Sequence, residues 1–187
     1  MLHALFVQKF VDGQRTIGTC HSINFPADFF HASKLHIKLP SQSMQLLKRN
    51  FRLDQIDEIA HLIIESLPAS GVVTFEGDLG AGKTTLIRTI CSLLNVVDTV
   101  SSPTFSLMNL YKTSAGSRYT DIIHIDFYRI SNEQEAVRAG LEEYLYSGAC
   151  CLIEWPQQAR GIIPADALRV KLSVMGEDER QVEVESA

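Results

Sequence analysis

Hydrophobic and polar positions sort the chain after residue 43 into alternating helical and extended stretches. Residues 54–67, "DQIDEIAHLIIESL", place apolar side chains at Ile56, Ile59, Ala60, Ile63, Ile64 and Leu67. That spacing lays one apolar stripe along an amphipathic helix. Asp54 is expected to cap it, and Pro68 and Gly71 to end it. "GVVTFEG" (71–77) is a short β-rich run, and helix formers follow from Lys83 to about Leu94. "TVSSPTFSLMNLY" (99–111) reads as a loop entering a strand, and "SAGS" (114–117) as a hairpin turn into the strand "RYTDIIHIDFYRI" (118–130). "SNEQEAVRAG" (131–140) opens on the caps Ser131 and Asn132, closes on Gly140, and predicts a helix. "GACCLIEWP" (148–156) is a buried-type strand stopped by Pro156, and 167–187 predicts a strand, a charged turn and a second strand. Strands alternating with helices, with hairpins added, predict an α/β domain. Its central sheet is mostly parallel, flanked by helices and extended by antiparallel strands.

Residues 1–43 show no sustained periodicity. They hold four basic and two acidic residues, against 13 basic and 20 acidic in the remainder. The expectation is a poorly ordered N-terminal extension over 1–43, arising from an upstream start codon, and a folded domain over 44–187. The first ten residues, "MLHALFVQKF", lack a basic leader before their apolar stretch, which argues against a secretory signal. One Arg and two Asp in this segment argue against a transit peptide. No apolar run is long enough to span a bilayer. With 187 residues the chain can bury one sizeable core. A net charge of −5 argues against a dominant grip on nucleic acid by this chain alone. Cys20, Cys91, Cys150 and Cys151 form no C-x-x-C pair. Cys150 and Cys151 are neighbours on a strand and so face opposite sides, which reads as buried free thiols in a reducing cytoplasm.

The chemistry concentrates in "EGDLGAGKTT" (76–85), where Gly77, Gly82, Lys83 and Thr84 meet the phosphate-loop pattern G-x-x-x-x-G-K-[ST]. Its glycines let backbone N–H groups from Gly77, Asp78, Leu79, Gly80, Ala81, Gly82, Lys83, Thr84 and Thr85 curl around phosphate oxygens. The helix that follows presents its N-terminal amides to an anion. Lys83 supplies positive charge to the outer phosphates, and Thr84 a hydroxyl for Mg²⁺. The alternative is a glycine turn with a surface lysine; a strand before and a helix after favour the phosphate loop.

Binding phosphate is not hydrolysing it, and three further places offer the missing groups. Thr104 in "SSPTF" lies in a loop after the phosphate-loop helix, where a threonine reaches phosphate or metal; the alternative is an ordinary Ser-Pro turn. Asp126 in "HIDFYR" ends an apolar strand, where open α/β sheets bind ligands; the alternative is a surface Asp126–Arg129 pair. Glu154 in "CLIEWP" ends a strongly apolar strand, an expensive place for a charge without a partner; the alternative is an edge glutamate in solvent. His124 reads as a satisfied structural histidine, and Trp155 as core.

"EGDLGAGKTT", "SPTF", "HIDFYR" and "LIEWP", in this order and over about residues 50–175, closely resemble the TsaE (YjeE) family, the ATPase component of the machinery that makes threonylcarbamoyladenosine in tRNA. The resemblance implies a P-loop NTPase fold and a Mg²⁺-dependent ATPase with ATP as substrate. It implies that Lys83 holds phosphate, Thr84 the metal, and Thr104 a switch position. It implies that Asp126 and Glu154 supply the acids, with either fitting the metal or the water, and that Trp155 lies at the site or an interface. It implies TsaD and TsaB as partners. In that family's system TsaD carries out the transfer, so tRNA is met only through the complex. Residues 1–43 have no counterpart in the compact family pattern. One departure is Ile-Asp-Phe in "HIDFYR", where the family usually has Phe-Asp-Leu; the acid stays in register. Two other functions share the phosphate loop: a small-molecule kinase with Asp126 as base, and a nucleotide-binding adaptor that does not hydrolyse. Beyond Arg129 and Arg138 the middle of the chain offers no arginine-rich lid, which speaks against the kinase. Intact Asp126 and Glu154 speak against the adaptor.

Overall fold

The computed structural model describes residues 44–186, and the extension expected over 1–43 lies outside the described residues. The elements run β1 (Met44–Arg52), α1 (Ile56–Glu65), β2 (Val72–Glu76), α2 (Lys83–Leu93), β3 (Met108–Lys112), β4 (Asp121–Asp126), α3 (Glu133–Arg138), α4 (Leu141–Leu145), β5 (Cys150–Glu154), β6 (Leu168–Val174) and β7 (Glu179–Ser186). All seven strands join one sheet in the order β1-β7-β6-β2-β5-β4-β3. The inner four, β6-β2-β5-β4, are parallel. The outer three are added antiparallel: β3 on β4, β7 on β6, and β1 on β7. This is the α/β sheet the pattern predicts, a mostly parallel centre with antiparallel additions, and the P-loop NTPase fold that the resemblance implies.

Helices cover both faces, and the pleat decides which residue faces which. On one face, Val73 and Phe75 of β2, Cys150 and Leu152 of β5, and Ile122 of β4 pack under α1 and α2. The other face takes Val72, Ile123, Ile125, Cys151 and Ile153 under α3 and α4. Cys150 and Cys151 thus fall on opposite faces, as adjacent strand residues must. Both, with Cys91, are free and buried. Burial pushes the Cys91 and Cys151 thiols up to about 12 and raises Cys150 further, so all three stay protonated and inert.

The predicted stripe on α1 is the observed one: Ile59, Ala60 and Ile63 are fully buried, with Ile56, Ile64 and Leu67 packed at the margin. Its start differs. Asp54 caps nothing, because a 3₁₀ turn over Leu53–Gln55 precedes the helix; Gln55 Oε1 instead accepts the Arg52 N–H at 3.0 Å. Asn132 does cap α3, its Oδ1 accepting the Glu135 N–H at 3.0 Å. β1 was not legible as a strand, since only Phe51 on it is buried and its partner β7 lies more than 120 residues away. The chain also turns at Gly140 into the short α4, where the pattern predicted only an end.

The two caps give a direct comparison. Asn132→Ala is expected to lower unfolding free energy by about 1 kcal/mol, and Asp54→Ala by less than about 0.5 kcal/mol. Urea denaturation of the two variants checks this; a larger loss at Asp54 would contradict the capping described.

Candidate functional site

The parallel strands set the site's place. β2, β5 and β4 all end on the same edge of the sheet, and in register Phe75 lies beside Glu154 and Glu154 beside Asp126. Side chains in register on adjacent strands share a face about 5 Å apart. Glu154 and Asp126 therefore stand next to each other on the α2 face, where the loop after β2 turns into α2.

That loop has the backbone its glycines predict. Gly77 sits at φ 148°, and a Cβ there would lie 2.5 Å from the Leu172 carbonyl oxygen on β6. Gly82 sits at φ 102° as the N-cap of α2, a left-handed conformation without a side-chain cap, so the first amides of α2 are left to bind an anion. Ala81 is buried in the core, and Leu79 is exposed, so only its backbone serves a phosphate cradle. Lys83 is 5% exposed; its Nζ donates to the carbonyls of Gly77 at 2.8 Å and Asp78 at 2.9 Å. Burial lowers the Lys83 pKa, and the nearby Glu154, Asp126 and Asp78 partly offset this.

Both carboxylates are buried, Glu154 at 3% and Asp126 at 2% exposed, and each is met by a threonine hydroxyl. Thr84 Oγ1 donates to Glu154 Oε1 at 2.8 Å, and Thr104 Oγ1 to Asp126 Oδ2 at 2.6 Å. Glu154 is thus not an edge glutamate in solvent. Asp126 is not paired with Arg129: its Oδ1 accepts the Tyr128 N–H at 2.9 Å, while the Arg129 guanidinium lies 5.7 Å from the Phe105 ring. The "SSPTF" loop is a turn, with Ser106 N–H and Leu107 N–H both donating to the Pro103 carbonyl, and it is a site loop as well. Leu107 carbonyl accepts the Asp126 N–H at 3.0 Å, which ties the loop to the end of β4. Lys83, Thr84, Thr104, Asp126 and Glu154 are brought together at this end of the sheet.

Two residues, Trp155 and His124, depart from what the residues taken alone suggest. Trp155 is not core: it takes a left-handed φ of 57°, its ring centroid is 4.2 Å from Lys83 Nζ, and Tyr128 packs against it at 5.1 Å between centroids. His124 is not fully satisfied. Its Nε2 lies 3.0 Å from Glu154 Oε1, while the buried Nδ1 has no partner. Alternation along β4, which puts His124 on Asp126's face, was the signal available for it.

A cleft of about 450 Å³ opens on the other side of the loop, lined by Arg52, Leu53, Ile56, Gly80, Thr85 and Arg180 among others. The strand order places it toward β1 and β7, and the carboxylates toward β5 and β4. Its walls come from both ends of the domain, which no local pattern reveals.

The loop, the helix N-terminus and the lysine fit a polyphosphate. Among the described residues no group of three His, Cys, Asp or Glu side chains converges on one point. A metal here would take few protein ligands and fill its shell from phosphate and water, which suits Mg²⁺.

The family model described as "Threonylcarbamoyl adenosine biosynthesis protein TsaE" matches residues 52–182. The chain belongs to the TsaE family. A Bacillus subtilis relative named tRNA threonylcarbamoyladenosine biosynthesis protein TsaE is 33% identical over 138 residues, 74% of this chain and 84% of that protein. A Rickettsia bellii relative of the same name is 34% identical over 141 residues, 73% of this chain and 94% of that protein. The crystal structure of Bacillus subtilis YdiB superposes with a TM-score of 0.58 at 26% identity, over 77% of this chain and 86% of that one. The TsaE match spans all four motifs, from the phosphate loop to Trp155.

Gly77→Ala tests the loop geometry. The added Cβ meets backbone, which cannot swing away, so unfolding should become easier by at least about 1–3 kcal/mol. Thermal or urea unfolding measures this; wild-type stability would contradict the close approach to Leu172.

Proposed function

We propose that this TsaE-family chain binds ATP with Mg²⁺ and hydrolyses it in the cytoplasm. Hydrolysis supports formation of the threonylcarbamoyl group on the adenosine beside the anticodon of tRNA. TsaD and TsaB are the partners; TsaD carries out the transfer, and tRNA is met through the complex. The ATPase reading rests on one observation above all: two hydroxyl–carboxylate pairs, Thr84–Glu154 and Thr104–Asp126, at the ends of adjacent strands beside the phosphate loop. A phosphate cradle alone needs neither acid. The role in threonylcarbamoyladenosine synthesis is supported by the names of the relatives, and the partners by the motif resemblance.

In this reading the amides from Gly77 to Thr85 bind the phosphates, and the cleft beside Gly80 takes the nucleoside. Lys83 exchanges its two carbonyl contacts for outer phosphate oxygens. Thr84 and Glu154 would hold the metal, since a threonine hydroxyl can donate a hydrogen bond to Glu154 and keep a lone pair for the cation. Mg²⁺ bound there would offset the charge that gathers as the outer phosphate leaves. Asp126 orients the attacking water, and Thr104 holds Asp126 and follows the outer phosphate as a switch. Positioning and charge do most of the work in such a reaction. No helix among the described residues is long and apolar enough to cross a membrane.

Lys83→Ala is expected to abolish tight ATP binding; affinity retained in a calorimetric titration would refute the phosphate-loop assignment. Glu154→Ala is expected to cut turnover by about 100-fold or more while ATP affinity changes much less. Equal losses in turnover and affinity would favour a purely structural glutamate. Phosphate release measured with and without TsaB, TsaD and tRNA tests the coupling, where stimulation is expected and its absence argues against those partners.

A further inference from the structure

The mechanism above uses Glu154 and leaves His124 without a part. His124 stands in the middle of β4, fully buried, on the face that carries Asp126 and Glu154. Its Nε2 lies 3.0 Å from Glu154 Oε1, the same oxygen that accepts the Thr84 hydroxyl at 2.8 Å. Its Nδ1 is the one buried side-chain nitrogen or oxygen among the described residues without a partner. Interior polar groups are ordinarily paired, and one left unpaired calls for a reason. On this face Ile122 on the same strand and Leu152 across on β5 are apolar. Asn109 across on β3 and Asp126 further along β4 are polar, but their side chains bond to Ser101, Ser106 and Tyr111 and to Thr104 and the Tyr128 N–H, not to the ring. A leucine in place of His124 would break none of those bonds and leave no orphan. The only thing a histidine adds at this position is the bond to Glu154.

We infer that His124 is a positioning residue for Glu154. Oε1 already acts as an acceptor for the Thr84 hydroxyl, so the ring proton is assigned to Nε2 as a second donor, and Nδ1 is a bare lone pair. Two donors from different directions, Nε2–H and the Thr84 hydroxyl, then pin Oε1. Oε2, which receives no hydrogen bond from any described residue, is left for the metal and phosphate side of the site. Without His124 the carboxylate keeps a single tether to Thr84, itself a metal ligand in the proposed mechanism, and is free to rotate about its side-chain torsions. The inference rests on the ATPase reading.

The test uses the full chain and two substitutions. His124→Leu removes the donor at similar volume, and His124→Gln restores an N–H near the Nε2 position. Trp155, the only tryptophan, lies 4.2 Å from Lys83 Nζ and reports nucleotide binding by its fluorescence. For H124L, turnover should fall about 10- to 100-fold, the range that one hydrogen bond to a charged group supports. ATP affinity in EDTA should stay within about 3-fold, while the tightening of ATP binding by Mg²⁺ should be largely lost. H124Q should recover most of both effects. Equal losses in H124Q and H124L, or Mg²⁺ tightening and turnover retained in H124L, would overturn the inference. Should H124L fail to fold, His124→Asn, whose amide matches Nδ1 and not Nε2, serves as the donor-free variant under the same criteria. A wild-type chain that neither binds ATP in a calorimetric titration nor releases phosphate from it would refute the ATPase reading itself. A responsive wild type beside an unaffected H124L refutes the His124 role alone.

Discussion

Two carboxylates at the buried ends of adjacent parallel strands are the constraint around which this domain is organised. Taking a charge out of water costs several kcal/mol unless donors meet it. Glu154 and Asp126 are met by groups from four separate segments: Thr84 at the start of α2, His124 within β4, Thr104 in the loop before β3, and the backbone after β4. Lys83 adds a buried positive charge close to both. Each of those segments must be where it is for the buried acids to keep their donors, so the sheet register, the loop after β2 and the "SSPTF" turn are all held to one arrangement.

The same constraint engages the phosphate-loop side chains with protein groups. In the proposed reading Lys83 exchanges its two carbonyl contacts for phosphate oxygens, while Thr84 keeps its bond to Glu154. Thr104 sits on a turn whose next residue, Phe105, is 89% exposed. A single residue, Thr104, thus separates the buried Asp126 carboxylate from an exposed aromatic ring.

Local chemistry explains why most of the fold was readable. The stripe on α1, the β-rich runs at 72–76 and 150–154, the Asn132 cap and the phosphate loop each depend on residues a few positions apart. β1 was not readable, because an exposed antiparallel strand earns its place from a partner at the far end of the domain. Asp54 was misread as a cap because the turn before α1 is drawn tight by Gln55 and Arg52 instead. Trp155 reads as core from the residues alone, while the family resemblance puts it at the site or an interface; its left-handed backbone, which swings the ring over Lys83, has no local signature.

By itself, the sequence determined the phosphate loop, the parallel α/β order and the identities of Thr104, Asp126 and Glu154 as candidate acids and hydroxyl, because glycine freedom, apolar period and residue chemistry are local properties. Only the tertiary structure decided the pairing: Thr84 with Glu154, Thr104 with Asp126, and His124 on the same oxygen as Thr84. Strand order and register set those partners across 22, 30 and 70 residues of chain. Contacts of that reach exist only once the sheet has brought the ends of its strands together.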